Sequence, residues 1–429
     1  MSALTGAAGM VAVLVAAPLD AQQPTTPAAD AALMRRANAL HRAVPLIDGH
    51  NDLPWELREK AAGDLARMDP NAALPGQHTD IPRLRQGGVG GVFWAAYVPV
   101  EMMAGGATRF TLDQIDLIHR MTERSAELEF ARTAADIERI HRRRKIASLI
   151  GIEGGHALEN SLGALRQFYD LGVRYLSLTH SSTIDWADAA TDAPRHGGLS
   201  PFGEEVVREM NRLGMMIDLS HVSDETMRDA IRVSEAPVIF SHSSARAIAD
   251  HPRNVPDDVL QLVKQNDGIV MVNFYSGFVE PTSAERTRTM LETQRELRQR
   301  FAGDSVGYRA AWGEWRRANP MARGSVATIA DHIDHIVKTA GIDHVGIGSD
   351  YDGVSLLPEG LDDVAALPNL TVELLRRGYS DRDVKKILGE NFLRVMKDVE
   401  RTAARLQKER GPSTATIEAL QGRSAAAAR

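Results

Sequence analysis

The sequence predicts an α/β protein: a closed (β/α)8 barrel of the TIM type, with an insertion between its seventh and eighth strands. Three observations lead there. Short apolar or β-branched runs alternate with amphipathic helical stretches, which is the pattern of βα units around a parallel sheet. There are eight such runs, the number that closes a barrel. Six of them end in a His or a carboxylate, at the rim where barrels of this kind build their sites. The 429 residues are 43% hydrophobic and 25% charged, an ordinary globular balance that one barrel with insertions can absorb. A doubly wound open sheet is the alternative, but no Gly-rich phosphate fingerprint opens any of the helices.

The first strand is VPLIDGH at Val44–His50, ending in His50 with Asp52 two residues on. GVGGVFWAAYV at Gly88–Val98 is the second, and IASLIGIEG at Ile146–Gly154 is the third, bringing Glu153. VRYLSLTH ends in His180, MMIDLSH in His221 and PVIFSH in His242. GIVMVNFY at Gly268–Tyr275 is the seventh, and HVGIGSD at His344–Asp350 ends in Asp350. Helical patterns lie between them, among them Leu158–Leu171, Phe202–Leu213, Asp224–Val233 and Val326–Thr339. One apolar strand ending in His is usually a structural histidine. Six polar ends at equivalent positions are a site.

The ends of the chain read differently. Residues 1–30 fit a signal peptide and spacer: the apolar run near 7–18 is too short to span a bilayer, and a small-residue site stands at Ala21. No Lys or Arg precedes Arg35, so an unstructured leader is the competing reading. A single (β/α)8 domain is expected over 31–400 and a C-terminal tail over 401–429. These ends predict an exported protein, periplasmic or secreted, without a transmembrane anchor. The formal charge of −7 argues against a nucleic-acid partner.

With 0 Cys, no thiolate serves as nucleophile or ligand, and a metal must be held by His, Asp and Glu. In His50-Asn51-Asp52 the side chains at i and i+2 fall on one side of an extended segment and can grip one cation. His221 and His242 can hold a second, and Glu153 has an oxygen for each. Mixed His/carboxylate ligation suits zinc, with manganese, cobalt or iron as substitutes. Such a pair makes a hydroxide nucleophile available near neutral pH. No G-x-S-x-G elbow supports serine hydrolysis instead.

The ordered set LIDGHND, GIEGGHALEN, YLSLTH, MIDLSHVS, VIFSHSSARAI, HPRNVPDD and GIGSDYDG resembles the renal (membrane) dipeptidase family of zinc peptidases. It runs from Leu46 to Gly353, and ILGENFLRV at Ile387–Val395 resembles the family's closing helix. The resemblance implies a (β/α)8 barrel with two zinc ions. His50, Asp52 and Glu153 would bind one, and Glu153, His221 and His242 the other. It implies Asp350 as acid/base, His180 facing the scissile carbonyl, and Arg253 on the substrate's terminal carboxylate. It further implies dipeptide substrates, tolerance of a D-residue at the second position, carbapenem opening in some members, and a non-covalent homodimer here. This chain departs from mammalian members in lacking Cys and an anchor signal, and in a charged insertion near 280–323. Two rivals stand beside this reading. One is another binuclear amidohydrolase, such as a lactonase, although many of those bridge their metals with a carboxylated Lys. The other is an inactive barrel used for binding, although no ligand is lost here.

Other residues have two readings each. His156 is a further site residue or part of a turn. His332 and His335 stand at i, i+3 on an outer helix, where packing is the expectation. Arg142–Lys145 is a solvated loop on the opposite face. Trp186, Asp188, Phe274 and Tyr275 line the pocket or pack loops. Arg253 reads substrate or is tied to Asp257 or Asp258.

Overall fold

In the computed structural model, which describes residues 27–422, nine strands form a single sheet. They are β1 (Leu46–Asn51), β2 (Val89–Tyr97), β3 (Leu128–Phe130), β4 (Ile146–Glu153) and β5 (Val173–Ser177), followed by β6 (Met216–Asp218), β7 (Ile239–Phe240), β8 (Ile269–Val272) and β9 (Val345–Ile347). The order β2-β1-β9-β8-β7-β6-β5-β4-β3, with β2 also paired to β4, closes eight parallel strands into the expected barrel. β3 is the extra one. It pairs with the start of β4, Ile146 to Ser148, while β5 takes Ile150 to Glu153. Three residues, of which only Leu128 is buried, gave no periodic signal to read.

All six residues of β1 and all eight of β4 are buried, so these strands read as continuous apolar runs covered on both faces. Inside the ring, Ile47, Phe93, Leu149, Tyr175, Ile239 and Met271 form one cluster with Phe392 and Met396. Those last two come from the helix Asn391–Glu409, with Phe392 set 5.4 Å from Phe93, ring centre to ring centre. That helix runs through residue 401, where the tail was expected to begin. Leu406 and Ile417 are buried, and Gln421 accepts from Ser200 Oγ at 2.6 Å. The described part of the expected tail therefore packs on the barrel.

Local signals set the helices. Pro201–Leu213 starts where Ser200 accepts from the Gly203 N–H and stops at Gly214, whose φ of 88° a side chain would resist. Asp224–Val233 is capped by Ser223, and Val326–Thr339 by Ser325. The expected Leu158–Leu171 helix begins later, at Leu162, after a short tight turn over Gly155–Leu158. The insertion folds as two helices, Pro281–Arg300 and Ser305–Ala318. The signal-peptide reading falls almost wholly on residues outside those described. Among the described residues no helix is long and apolar enough to cross a membrane.

Two histidines are fixed as neutral rings in the barrel wall. His332 Nδ1 accepts from the Ala245 N–H at 3.1 Å, so Nε2 carries the proton given to Val279 O at 2.9 Å. His41 donates from Nδ1 to Gly87 O and meets Thr371 Oγ1 through Nε2. Burial pushes both down to about 4. A depressed histidine contributes stability that is fully present above the unfolded value near 6.5 and is lost as pH falls towards about 4. Urea unfolding should therefore show a midpoint at pH 5 clearly below that at pH 7. Identical midpoints would mean these rings are not held neutral.

Candidate active site

Most of the later strands stop short of the residues they deliver. Glu153 is the last residue of β4, but His180 and His221 lie three residues beyond β5 and β6, His242 two beyond β7, and Asp350 three beyond β9. The chain turns sharply there: φ is 74° at His221, 65° at Asp350 and 68° at Asp352. Left-handed backbone at a non-glycine residue is strained, and persists where surrounding structure fixes it. Here the surroundings are buried carboxylates. Asp48 accepts from the Ser349 N–H at 2.8 Å and Ser349 Oγ at 2.6 Å, tying β1 to the strand-end before Asp350. Asp218 accepts from Ser177 Oγ, Ser241 Oγ and the Ser241 N–H, tying three neighbouring strand-ends together.

Glu153 is the centre of the cluster. Its Oε2 lies 3.6 Å from His50 Nε2, which is 3.2 Å from Asp52 Oδ2. Its Oε1 lies 2.9 Å from His221 Nε2 and 3.4 Å from His242 Nε2. His180 Nε2 stands further off, 3.9 Å from Oε1. The structure thus brings His50, Asp52, Glu153, His180, His221, His242 and Asp350 into one cluster, of which Asp52, Glu153, His180, His221 and Asp350 line a pocket and His50 and His242 lie behind it.

The imidazoles are aimed from behind. Tyr175 OH donates to Gly49 O, so it accepts the Nδ1 proton of His50 at 2.9 Å and leaves Nε2 as a lone pair facing the carboxylates. Ser241 Oγ donates to Asp218, so it accepts from His242 Nδ1 at 2.7 Å, with the same result. His221 Nε2 and His242 Nε2 then stand 2.9 Å apart beside a carboxylate oxygen. With His242 Nε2 and the Glu153 oxygen both accepting, a proton or a cation must lie between these atoms and His221 Nε2, and His50 Nε2 is itself buried without a hydrogen-bond partner. Where no cation occupies that place, a second proton would take it on His50: burial opposes the charge, yet Tyr175, Asp52 and Glu153 hold its pKa well above the ordinary value. Burial alone would raise Glu153, but the surrounding rings hold it well below the usual carboxylate range. Groups of His50, Glu153 and His242, of Glu153, His180 and His221, and of His50, Asp52 and Asp350 each converge closely enough for a cation. The donor set fits divalent metal.

Asp350 is buried beside this cluster, and burial with the nearby carboxylates pushes it up to about 7. Asn273 donates to its Oδ2 at 2.8 Å. Gly353 has no room for a side chain, because a Cβ there would strike both Asp52 and Asp350. His180 is lowered to about 4 by burial and lies edge-on to Tyr97. Arg253 is buried under the same rim, donating to Ser243 Oγ at 3.4 Å and His242 O at 3.3 Å. It is not tied to Asp257 or Asp258, which pair with His335 and Arg228.

The pocket in front holds about 640 Å³. Tyr275 lines it, whereas Phe274 is buried in the core against Tyr351. Trp186 and Asp188 do not line it: Trp186 is fully buried, and Asp188 accepts the N–H groups of Arg195, His196 and Gly198. His156 is a turn residue bonded to Val98 O. Sequence reasoning missed Tyr175, Asp218, Ser241 and Asn273, which act on other side chains. The one available signal was the Ile-Asp pair preceding both His50 and His221.

Tyr175→Phe removes the acceptor that fixes His50. Loss of such a supporting bond typically costs about 10- to 100-fold in metal affinity. Competition with a chelator should show that loss with the fold intact by circular dichroism; unchanged affinity would mean Tyr175 only fills space.

The membrane dipeptidase family profile (peptidase family M19) matches residues 34–410. Mouse Dipeptidase 3 is 44% identical over 376 residues, covering 86% of this chain and 68% of that protein. Dipeptidase verJ of Clonostachys rogersoniana is 42% identical over 388 residues, covering 87% and 89%. Among solved structures, the probable dipeptidase PvdM of Pseudomonas aeruginosa superposes with a TM-score of 0.74 at 28% identity, covering 87% of this chain and 100% of that one. A metallopeptidase of Rhodobacter sphaeroides, liganded with a phosphinate mimic of L-Ala-D-Ala, superposes at 0.67 and 26%, covering 83% and 99%. The match spans the whole barrel and every strand-end that delivers a ligand-type residue, and the chain belongs to the membrane dipeptidase family of metallopeptidases.

Proposed function

We propose that this metal-dependent dipeptidase uses two zinc ions, one held by His50, Asp52 and Glu153 and the other by Glu153, His221 and His242. The observation that carries the reading is the division of the Glu153 carboxylate, with one oxygen facing His50 and the other facing His221 and His242. The chemistry such a pair supplies when bound is a water acidic enough to attack near neutral pH and a polarised scissile carbonyl. The chain's own groups do the rest. Asp350, held near neutrality, takes the proton of the attacking water and returns it to the leaving amine. His180, kept neutral by burial, offers an N–H to the oxyanion. Arg253 holds the substrate's terminal carboxylate, which a tripeptide would carry out of reach.

L,D-dipeptides fall within the proposed substrates, supported by the L-Ala-D-Ala mimic bound in the Rhodobacter relative. The protein acts after export and removal of its leader, as a non-covalent homodimer. An intact N-terminus on protein from the native periplasm or medium would contradict processing, and a monomeric sedimentation profile would contradict the dimer.

Metal analysis with a dipeptide panel of L,L, L,D and D,D isomers tests the function directly. Two zinc equivalents per chain are expected, with activity abolished by chelation and restored by zinc. Full activity with one ion would overturn the binuclear reading. Asp350→Asn should keep both metals while kcat falls by about 10²–10⁴-fold. Glu153→Gln should lose metal. A fully active Asp350→Asn would move the acid/base role elsewhere.

A further inference from the structure

The pocket wall around Arg253 contains a group that the proposed mechanism leaves without work. His251 is completely buried and lines the same pocket as Arg253. Its Nδ1 accepts the backbone N–H of Arg253 at 3.1 Å. The ring is neutral: burial and the cations of Arg253, Arg288 and Arg246 push it down to about 3. A neutral ring whose Nδ1 accepts carries its proton on Nε2. That Nε2 is buried and has no hydrogen-bond partner, and the same holds for Arg253 Nε. Two orphaned donors on residues two apart, both packed on one aromatic ring, are an unusual pairing. Phe278 is that ring, 4.6 Å from the His251 ring and 5.3 Å from the Arg253 guanidinium carbon.

Buried polar groups are almost always satisfied, and an exception asks for a missing partner. Both orphans are donors, so the partner accepts. One is charged, so an anion fits best. Resting on the dipeptidase reading, we propose that His251 Nε2–H is a second donor to the substrate's terminal carboxylate, one oxygen going to His251 and the other to Arg253. His251 is thus a substrate-binding residue. The insertion holds it in place. Asp250, its neighbour, pairs at 2.9 Å with Arg288 of the helix Pro281–Arg300, whose Thr287 and Met290 line the pocket beside Tyr275. The first helix of the insertion therefore contributes to the wall at this end of the pocket. Free carboxylate is read there from two sides.

The test compares zinc-loaded wild type, His251→Phe, His251→Gln and Arg253→Ala on matched dipeptide acids and dipeptide amides. His251→Phe keeps a ring against Phe278 and removes the donor. A hydrogen bond to a charged acceptor corresponds to about 10- to 100-fold, so kcat/KM on acids should fall by that factor, mainly through KM. Activity on amides, which offer one neutral oxygen instead of a charged pair, should fall by a clearly smaller factor. His251→Gln, which restores an N–H, should recover part of the loss. Without substrate, His251→Phe removes the unpaired Nε2–H but also the acceptor of the Arg253 N–H, so its melting temperature is measured to show that the fold is kept. Equal losses on acids and amides, or a fall in stability without any change in KM, would overturn the role and make His251 a packing residue. Wild type that cleaves no dipeptide would overturn the dipeptidase reading itself, which is a separate outcome.

Discussion

One carboxylate sits at the convergence of three imidazoles, and the rim of the barrel is arranged to keep it there. Glu153 ends the longest parallel strand contact in the ring, seven residue pairs between β2 and β4. Its position is set by backbone hydrogen bonds and not by a mobile loop. Everything else approaches it: His50 from β1, His221 and His242 from turns past β6 and β7. Such crowding of buried polar groups would splay the site unless something opposed it. The opposing force is the pair of buried aspartates. Asp48 and Asp218 take several hydrogen bonds each from serines and backbone N–H groups of neighbouring strands. They act as internal staples, and their burial raises their own proton affinity, so the site's rigidity is tied to their ionisation.

Much of this was legible in the sequence because the barrel repeats one rule. Each strand is short and apolar, and a polar residue at its end has only the rim to occupy. That rule located His50, Glu153, His180, His221, His242 and Asp350 without any contact information. It failed where function depends on residues pointing sideways. Tyr175 lies mid-strand in an apolar run and looks like core, and it is core, except for one hydroxyl under His50. Asn273 and Ser241 carry no charge and sit in runs where polar residues pass as turn formers. Trp186 and Asp188 misled in the opposite direction: a loop after a catalytic strand was a reasonable pocket wall, but the loop folds back on itself around the Asp188 carboxylate. β3 was invisible because three residues carry no period. The packing of residues beyond 401 was hidden by an Ala- and Arg-rich composition that fits a loose tail equally well.

The insertion illustrates how a shared scaffold acquires its own pocket. Its first helix touches the site only through Thr287 and Met290, and is anchored by Arg288 to the loop that bears Arg253. Its second helix, Ser305–Ala318, buries no residue, and carries Trp312 and Trp315 stacked at 5.3 Å on its surface. The two helices thus differ in kind. The first is part of the pocket, and the second leans on the first.

The barrel is closed by contacts between its two ends: Ser349 reaches Asp48 across 301 residues of chain, and Phe392 fills the space under Phe93. During synthesis none of these contacts exists until nearly the whole polypeptide has left the ribosome. Half-made chains hold most of the strands but no closing strand and no plug, so the ring stays open along one seam with its apolar lining exposed. Closing loops of that length is slow and late. The nascent chain therefore stays unlocked until late in its translation. Asp350, carried past the closing strand, reaches the rim only at that last step, so a shorter fragment has an incomplete site.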